Sequence, residues 1–156
     1  MDLSAFSLAG KTVMVTGANT GIGQGIALSI GRAGGRVIGV GRSTMDETAD
    51  LMTAFGAELV TVQADLGSTS DAQAMFEAVW DRHGPIDGLV NNAGIIKRVD
   101  AVDFTEEDWD SVMDINLKTM FFLSQSLGRK AIEAEREARI VNIASMLSFQ
   151  GGIRVA

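Results

Sequence analysis

The sequence predicts an α/β fold, a doubly wound open parallel sheet forming a single domain over residues 1–156. Three observations carry that expectation. Short β-branched apolar runs alternate with longer stretches of helical periodicity. A glycine-rich turn follows the first run, and the 156 residues are 46% hydrophobic, enough to bury one core.

Residues 1–10 read as a lead-in, with Phe6 and Leu8 covering the sheet edge and Gly10 ending the segment. Residues 12–15 (Thr, Val, Met, Val) suit a buried parallel strand. Beyond the turn Thr16-Gly17-Ala18-Asn19-Thr20-Gly21-Ile22-Gly23, the residues Ile22, Ile26, Ile30 and Ala33 recur at helical spacing, and Gly34 and Gly35 stop that helix. Residues 36–40 form the second strand. A helix over 46–55 is expected to bury Thr48, Leu51, Met52 and Phe55, and residues 58–63 form the third strand. Ser70 or Asp71 caps the next helix, whose face carries Met75, Ala78, Val79 and Arg82, widened by Phe76 and Trp80. His83, Gly84 and Pro85 close it; the histidine suits a helix end, where it meets terminal carbonyls, and is assigned no chemistry. The fourth strand covers 86–90. A long helix over 106–133 is apolar on more than one side, which implies burial between two partners, and the fifth strand covers 139–144. Five strands, all but the last followed by a helix, predict the order 3-2-1-4-5 with the last strand an exposed edge.

Strand, glycine turn and helix together suit a diphosphate: glycines let the backbone approach the anion, and unpaired N–H groups at the helix start face it. Ligands of such sheets lie outside the carboxyl ends of the strands. Past the second strand, where a carboxylate would bind ribose hydroxyls, Gly41-Arg42-Ser43 has none, and Arg42 is suited to a 2′-phosphate. That favours NADP over NAD, with a solvated loop arginine as the plain alternative. Thirteen Lys and Arg against 20 Asp and Glu give a formal charge of −7, which disfavours nucleic acid and anionic membranes as partners. With no cysteine, neither a disulfide nor a thiolate metal site is available. No apolar run approaches the roughly 20 residues of a membrane span, and no basic-then-apolar leader opens the chain, so a cytoplasmic protein is the default.

The motif Thr-Gly-x-x-x-Gly-x-Gly at 16–23, followed by Asn91-Asn92-Ala93-Gly94 at the end of a later apolar run, resembles the short-chain dehydrogenase/reductase family. The likeness runs over essentially the whole chain. Leu3-Ser4-Ala5-Phe6-Ser7-Leu8 and the stretch from Ile143 to Arg154 are similar to members that act on sugar acids. The resemblance implies a Rossmann-like sheet, NAD or NADP as coenzyme, and hydride transfer between nicotinamide and a keto or hydroxy sugar acid. It assigns coenzyme binding to Gly17, Asn19, Thr20, Gly21, Ile22, Gly23, Arg42, Asp65, Leu66, Asn91, Ala93 and Gly94, and catalytic roles to Asn116 and Ser145. Asp65 would contact adenine, or cap a turn. Pairing of subunits through the helix over 106–133 is implied as well.

The general acid/base of that family is a tyrosine in a Tyr-x-x-x-Lys motif. The sequence contains no tyrosine, and the resemblance places the motif beyond Ala156, so the chain is expected to be truncated relative to the full family fold. Lys97, Arg98, Gln150 and Arg154 follow strands four and five; the three cations form a local positive cluster in which Arg154, with Lys97 or Arg98, suits a substrate carboxylate, ordinary loop cations being the plain alternative. A 3-oxoacyl or general ketone substrate, and a nucleotide-binding module without turnover, are the competing readings.

Overall fold

The computed structural model describes residues 4–155. Leu3, quoted above for the family likeness, lies outside the described residues, as do the outermost ends of the expected domain. The elements in order are β1 (Thr12–Thr16), α1 (Gly21–Arg32), β2 (Arg36–Gly41), α2 (Asp46–Thr53), β3 (Leu59–Gln63), α3 (Thr69–His83), β4 (Gly88–Asn91), α4 (Glu106–Met113), a π-helical turn (Asp114–Thr119), α5 (Met120–Glu133) and β5 (Arg139–Asn142). The five strands pair in parallel in the order β3-β2-β1-β4-β5, as the sequence predicts.

Side chains alternate across this sheet and feed two cores. Met14, Ile38 and Leu89, in register with one another, face one side, where Phe76 and Val79 of α3 and Leu123 and Leu127 of α5 cover them. Val13, Val15, Val37 and Val90 face the other, beneath Ala27 and Ile30 of α1 and Met52 of α2. β1 and β2 are therefore buried on both faces, whereas every residue of β5 is exposed, in keeping with its place at the sheet edge. The foot of the sheet is pinned by Asp87. Its Oδ2 accepts from the Thr12 N–H at 2.9 Å, and its Oδ1 lies 3.1 Å from Arg136 and 3.5 Å from Lys11. Burial pushes this carboxyl upward, but the Thr12 amide and the two cations outweigh it and hold Asp87 below the usual aspartate range.

Several elements differ from their expected faces, each for a packing reason. α1 buries Gly23, Ala27, Ile30 and Gly31, while Ile22 is 68% exposed. Small residues let α1 lie close: a Cβ on Gly31 would come 2.8 Å from the Met52 methyl. A periodicity built on large apolar residues overlooks such a face. α2 ends at Thr53 rather than at the expected residue 55, and only Thr48 and Met52 of it are buried; Leu51 is exposed, and Phe55, past the helix end, lies under the Arg32 guanidinium at 5.1 Å. α3 buries Ala72, Phe76 and Val79, leaving Ala78 and Arg82 outside, and its cap is Ser68, whose hydroxyl accepts from Asp71 N. His83 does end α3, but Arg36 serves the terminal carbonyl: it donates to His83 O at 2.8 Å and lies 3.3 Å from Nδ1. Phe6 covers no edge, being exposed, while Leu8 packs against the α1-side core. The long helix expected over 106–133 is interrupted at Asp114–Thr119, and β5 is shorter than the expected 139–144.

Among the described residues, no helix is long and apolar enough to cross a membrane.

Candidate coenzyme site

The tips of β1 and β4 are locked together by polar contacts that centre on the buried Thr16. Thr16 Oγ1 accepts from Asn92 N at 3.0 Å and Ala93 N at 2.9 Å, and donates to Val90 O at 3.4 Å. Asn92 answers with its amide, donating to Thr16 O at 2.9 Å. Gly17 N donates to Val40 O at 2.6 Å, which ties the glycine turn to β2. Gly17 and Gly21 have φ of +70° and +57°, a conformation that L side chains rarely adopt. A Cβ on Gly17 would meet Asn92 Nδ2 at 2.9 Å, and one on Gly23 would fall on the Gly17 carbonyl. The turn thus closes only with glycine at both places.

α1 starts from this turn with its positive end open. The first N–H groups of a helix have no intrahelical acceptor, and Thr20 at the cap position makes no side-chain hydrogen bond to them. α2, α3 and α4 carry acidic residues in their first turns; α1 carries none. An anion is the natural complement to those amides and to the helix dipole. They open on a cleft of about 450 Å³ across the strand tips.

That cleft is where most of the sequence-derived candidates converge. Gly17, Asn19, Thr20, Gly21, Ile22 and Gly23 line one wall, Arg42, Asp65 and Leu66 a second, and Ala93 and Gly94 the third. Ile22 is exposed because it belongs to the wall rather than to the core. Arg42 is exposed, and its guanidinium has no ion-pair partner among the described residues; its backbone carbonyl accepts from Gln63 Nε2 at 3.0 Å. Asp65 caps a local turn, its Oδ1 accepting from Gly67 N at 2.9 Å, while also lining the cleft.

The other candidates stand elsewhere. Asn91 is buried between β4, β5 and α5, donating to Ser124 Oγ at 3.0 Å and Asn142 Oδ1 at 2.8 Å, with its own Oδ1 unpartnered. Asn116 sits in the π-helical turn and grips the main chain of Ile95 from both sides. Its Oδ1 accepts from Ile95 N at 2.9 Å and its Nδ2 donates to Ile95 O at 2.8 Å. Because Ile95 lines the cleft beside Gly94, Asn116 shapes that wall without lining it. Ser145 is exposed beyond β5, its Oγ accepting from Leu147 N at 3.2 Å. Lys97 pairs with Asp108 at 3.0 Å and Arg154 with Asp100 at 3.0 Å, whereas Arg98 is exposed without a charged partner among the described residues. Gln150 is exposed in the same terminal segment.

Sequence reasoning missed Thr16 and Asn92 as organisers of the site, although both belong to the quoted motifs. A hydroxyl directly before a positive-φ glycine, and an asparagine at the opposite strand tip, were the available signal. Gly41, read from the sequence as leaving space beside Arg42, does line the cleft; Ser43, Ala64 and Ile115 also line it and were not assigned to the site.

Comparison with known proteins bears on this arrangement. The short chain dehydrogenase family matches residues 11–156. The chain is 47% identical over 155 residues, 99% of its length, to 2-dehydro-3-deoxy-D-gluconate 5-dehydrogenase of Escherichia coli strain K12, of which it spans 61%. A crystal structure of a candidate 2-deoxy-D-gluconate 3-dehydrogenase from Agrobacterium tumefaciens with bound NADP superposes with a TM-score of 0.87 at 46% identity, covering 96% of this chain and 59% of that one. A candidate NAD(P)-dependent gluconate 5-dehydrogenase from Beutenbergia cavernae, also with NADP, gives 0.90 at 43% identity, covering 97% and 60%. The chain therefore spans about three fifths of the length of these relatives. With the glycine turn, the open helix end and the 3-2-1-4-5 sheet in place, the chain belongs to the short-chain dehydrogenase family.

Proposed function

We propose that the chain, as one dinucleotide-binding domain over residues 1–156, binds NAD(P)(H). In this reading it forms the coenzyme half of an oxidoreductase that moves hydride between nicotinamide and a keto or hydroxy sugar acid such as 2-dehydro-3-deoxy-D-gluconate. The observation that carries the reading is the uncapped, acid-free start of α1 opening on a cleft that only glycine permits at 17 and 23. Support for the substrate class comes from the name of the Escherichia coli relative, and for the coenzyme from the NADP in the Agrobacterium tumefaciens structure.

When bound, the coenzyme supplies the hydride or its acceptor at nicotinamide. The protein binds and orients it. Main-chain amides from Gly17 to Gly23 hold the diphosphate, Arg42 meets a 2′-phosphate and so favours NADP, and Asp65 and Leu66 flank the adenine. Asn91 braces β4 against β5, and Ala93 and Gly94 leave room for the nicotinamide side. Ser145 is assigned to the substrate oxygen, with Asn116 setting the neighbouring wall through Ile95. Arg154, with Lys97 or Arg98 and Gln150, would receive the substrate carboxylate; Asp100 and Asp108 compete for Arg154 and Lys97, while Arg98 has no such competitor.

The competing reading is a nucleotide-binding module without turnover of its own. Titrating NADPH and NADH into the folded chain while following heat tests the common claim: binding of at least one is expected, and silence with both rejects it. Ketone reduction by the chain alone at ordinary efficiency would overturn the account of the missing acid/base group.

The reading extends to a homo-oligomer formed through the helical stretch over 106–133, supported by the exposure of Trp109, Leu117, Phe121 and Ile132 there. It also extends to the cytoplasm, where nicotinamide coenzymes are at hand.

A further inference from the structure

The glycine turn and the loop after β2 are joined by a single side-chain hydrogen bond, in which Asn19 Nδ2 donates to Ser43 Oγ at 2.8 Å. Asn19 Oδ1 lies over Gly41, where an added Cβ would come within 3.0 Å of it. Asn19 thus fills the space that a side chain at 41 would take, with its amide nitrogen turned toward Ser43. The direction of that bond matters. A hydroxyl has one hydrogen and two lone pairs; with a lone pair accepting from Asn19, the Ser43 hydrogen is left to donate elsewhere, and Asn19 Nδ2 cannot receive it.

Ser43 lines the cleft beside Arg42. Gln63 holds the carbonyl of Arg42 from the β3 side while Asn19 holds Ser43 from the α1 side, so the loop is braced at two adjacent residues. The carboxylate among the cleft-lining residues is Asp65, which already spends Oδ1 on Gly67 N. Residues 41–45, Gly-Arg-Ser-Thr-Met, carry none. A guanidinium and a hydroxyl donor side by side, with no acid in their own loop, suit a dianionic phosphomonoester far better than a neutral diol.

We propose that Asn19 is a positioning residue for coenzyme choice, fixing the Ser43 hydroxyl so that it donates, beside Arg42, to a phosphomonoester on the adenosine ribose. The proposal rests on the coenzyme-binding reading above and adds to it a route by which the glycine turn governs the ribose end of the cleft.

The test follows the fluorescence of NADPH and NADH titrated into the unsubstituted chain and into Asn19→Ala, Ser43→Ala, Ser43→Thr and the Asn19→Ala/Ser43→Ala double variant. Loss of a hydrogen bond to a charged group predicts that Ser43→Ala lowers the NADPH-to-NADH affinity ratio about tenfold. Asn19→Ala lowers it by less, about threefold, because the serine stays but is no longer oriented. Ser43→Thr, which keeps the hydroxyl, returns the ratio to within about twofold of the starting value. Since Asn19 acts through Ser43, the double variant falls no further than Ser43→Ala alone. Equal weakening of both coenzymes by Asn19→Ala, additive losses in the double variant, or a chain that binds NADH but not NADPH would each overturn the proposal while leaving coenzyme binding intact. A chain that binds neither overturns the coenzyme reading itself.

Discussion

At the tip of β1, Thr16 is 2% exposed and its hydroxyl engages two main-chain amides and a carbonyl from the β4 end. At the tip of β5 the Ser145 hydroxyl is exposed and accepts one amide of a short turn. Both are hydroxyls near the carboxyl end of a parallel strand, yet one is itself buried and fixed by partners that are wholly or partly buried, and the other by a local contact open to water. The junction of β1 and β4 is therefore organised by groups that are costly to leave unpaired, and the segment after β5 by groups that water can satisfy. Preorganisation resides in the first region.

Urea denaturation of single variants tests that contrast. Gly23→Ala is the most severe: its Cβ falls on the Gly17 carbonyl, which belongs to the backbone and cannot swing aside, so a loss of about 3 kcal/mol is expected, at the upper end of overpacking. Thr16→Val keeps shape but strands the Asn92 and Ala93 amides, for about 2 kcal/mol. Asp87→Asn, at the foot of the same strands, should cost about 1.5 kcal/mol at neutral pH through the weakened contact with Arg136 and Lys11. Its pH dependence has a definite sign. Asp87 is held below the usual aspartate range, so its stabilisation is in full force above the unfolded value of about 4 and is lost as pH falls through the lower folded value. Stability of the unsubstituted chain should converge on that of Asp87→Asn as the medium is acidified through this range; parallel curves would reject the assignment. The smallest effect belongs to the β5 end: Arg154→Ala removes an exposed ion pair with Asp100 and should change stability by less than about 0.5 kcal/mol. A loss there as large as that from Thr16→Val would erase the distinction between the two regions.

Much of this architecture was legible from residue patterns. The five apolar runs gave the strands, and the first glycine turn located the open end of α1 and the cleft before it, because both signals are local. What escaped was set by neighbours. The face of α1 is made by Gly23, Ala27 and Gly31, and small residues register as burial only once Met52 and the sheet are known to lie against them. Leu51 of α2 and Phe55, two residues past its end, follow a helical spacing but are exposed. In the site, the family motifs named Asn91, whose amide turns out to brace β4 against β5, while the adjacent Asn92 reaches the glycine turn. Adjacent residues on a strand point to opposite faces, and which face meets the turn depends on register that a motif does not state. Ser145 was nominated from sequence likeness and Arg154 from a local cluster of cations, and their exposed positions reflect a segment whose geometry no periodicity encodes.

The π-helical turn at Asp114–Thr119 has a consequence for comparing this chain with others. A wider turn absorbs about one extra residue; an unabsorbed insertion in a regular helix would rotate everything after it by about 100°. Leu123, Leu127 and Ala131 can thus keep their inward orientation on α5 despite the added length upstream. A homologue with an unbroken helix there would align one position out of step across the whole of α5, and a substitution carried over by number alone would land on the wrong side of the helix.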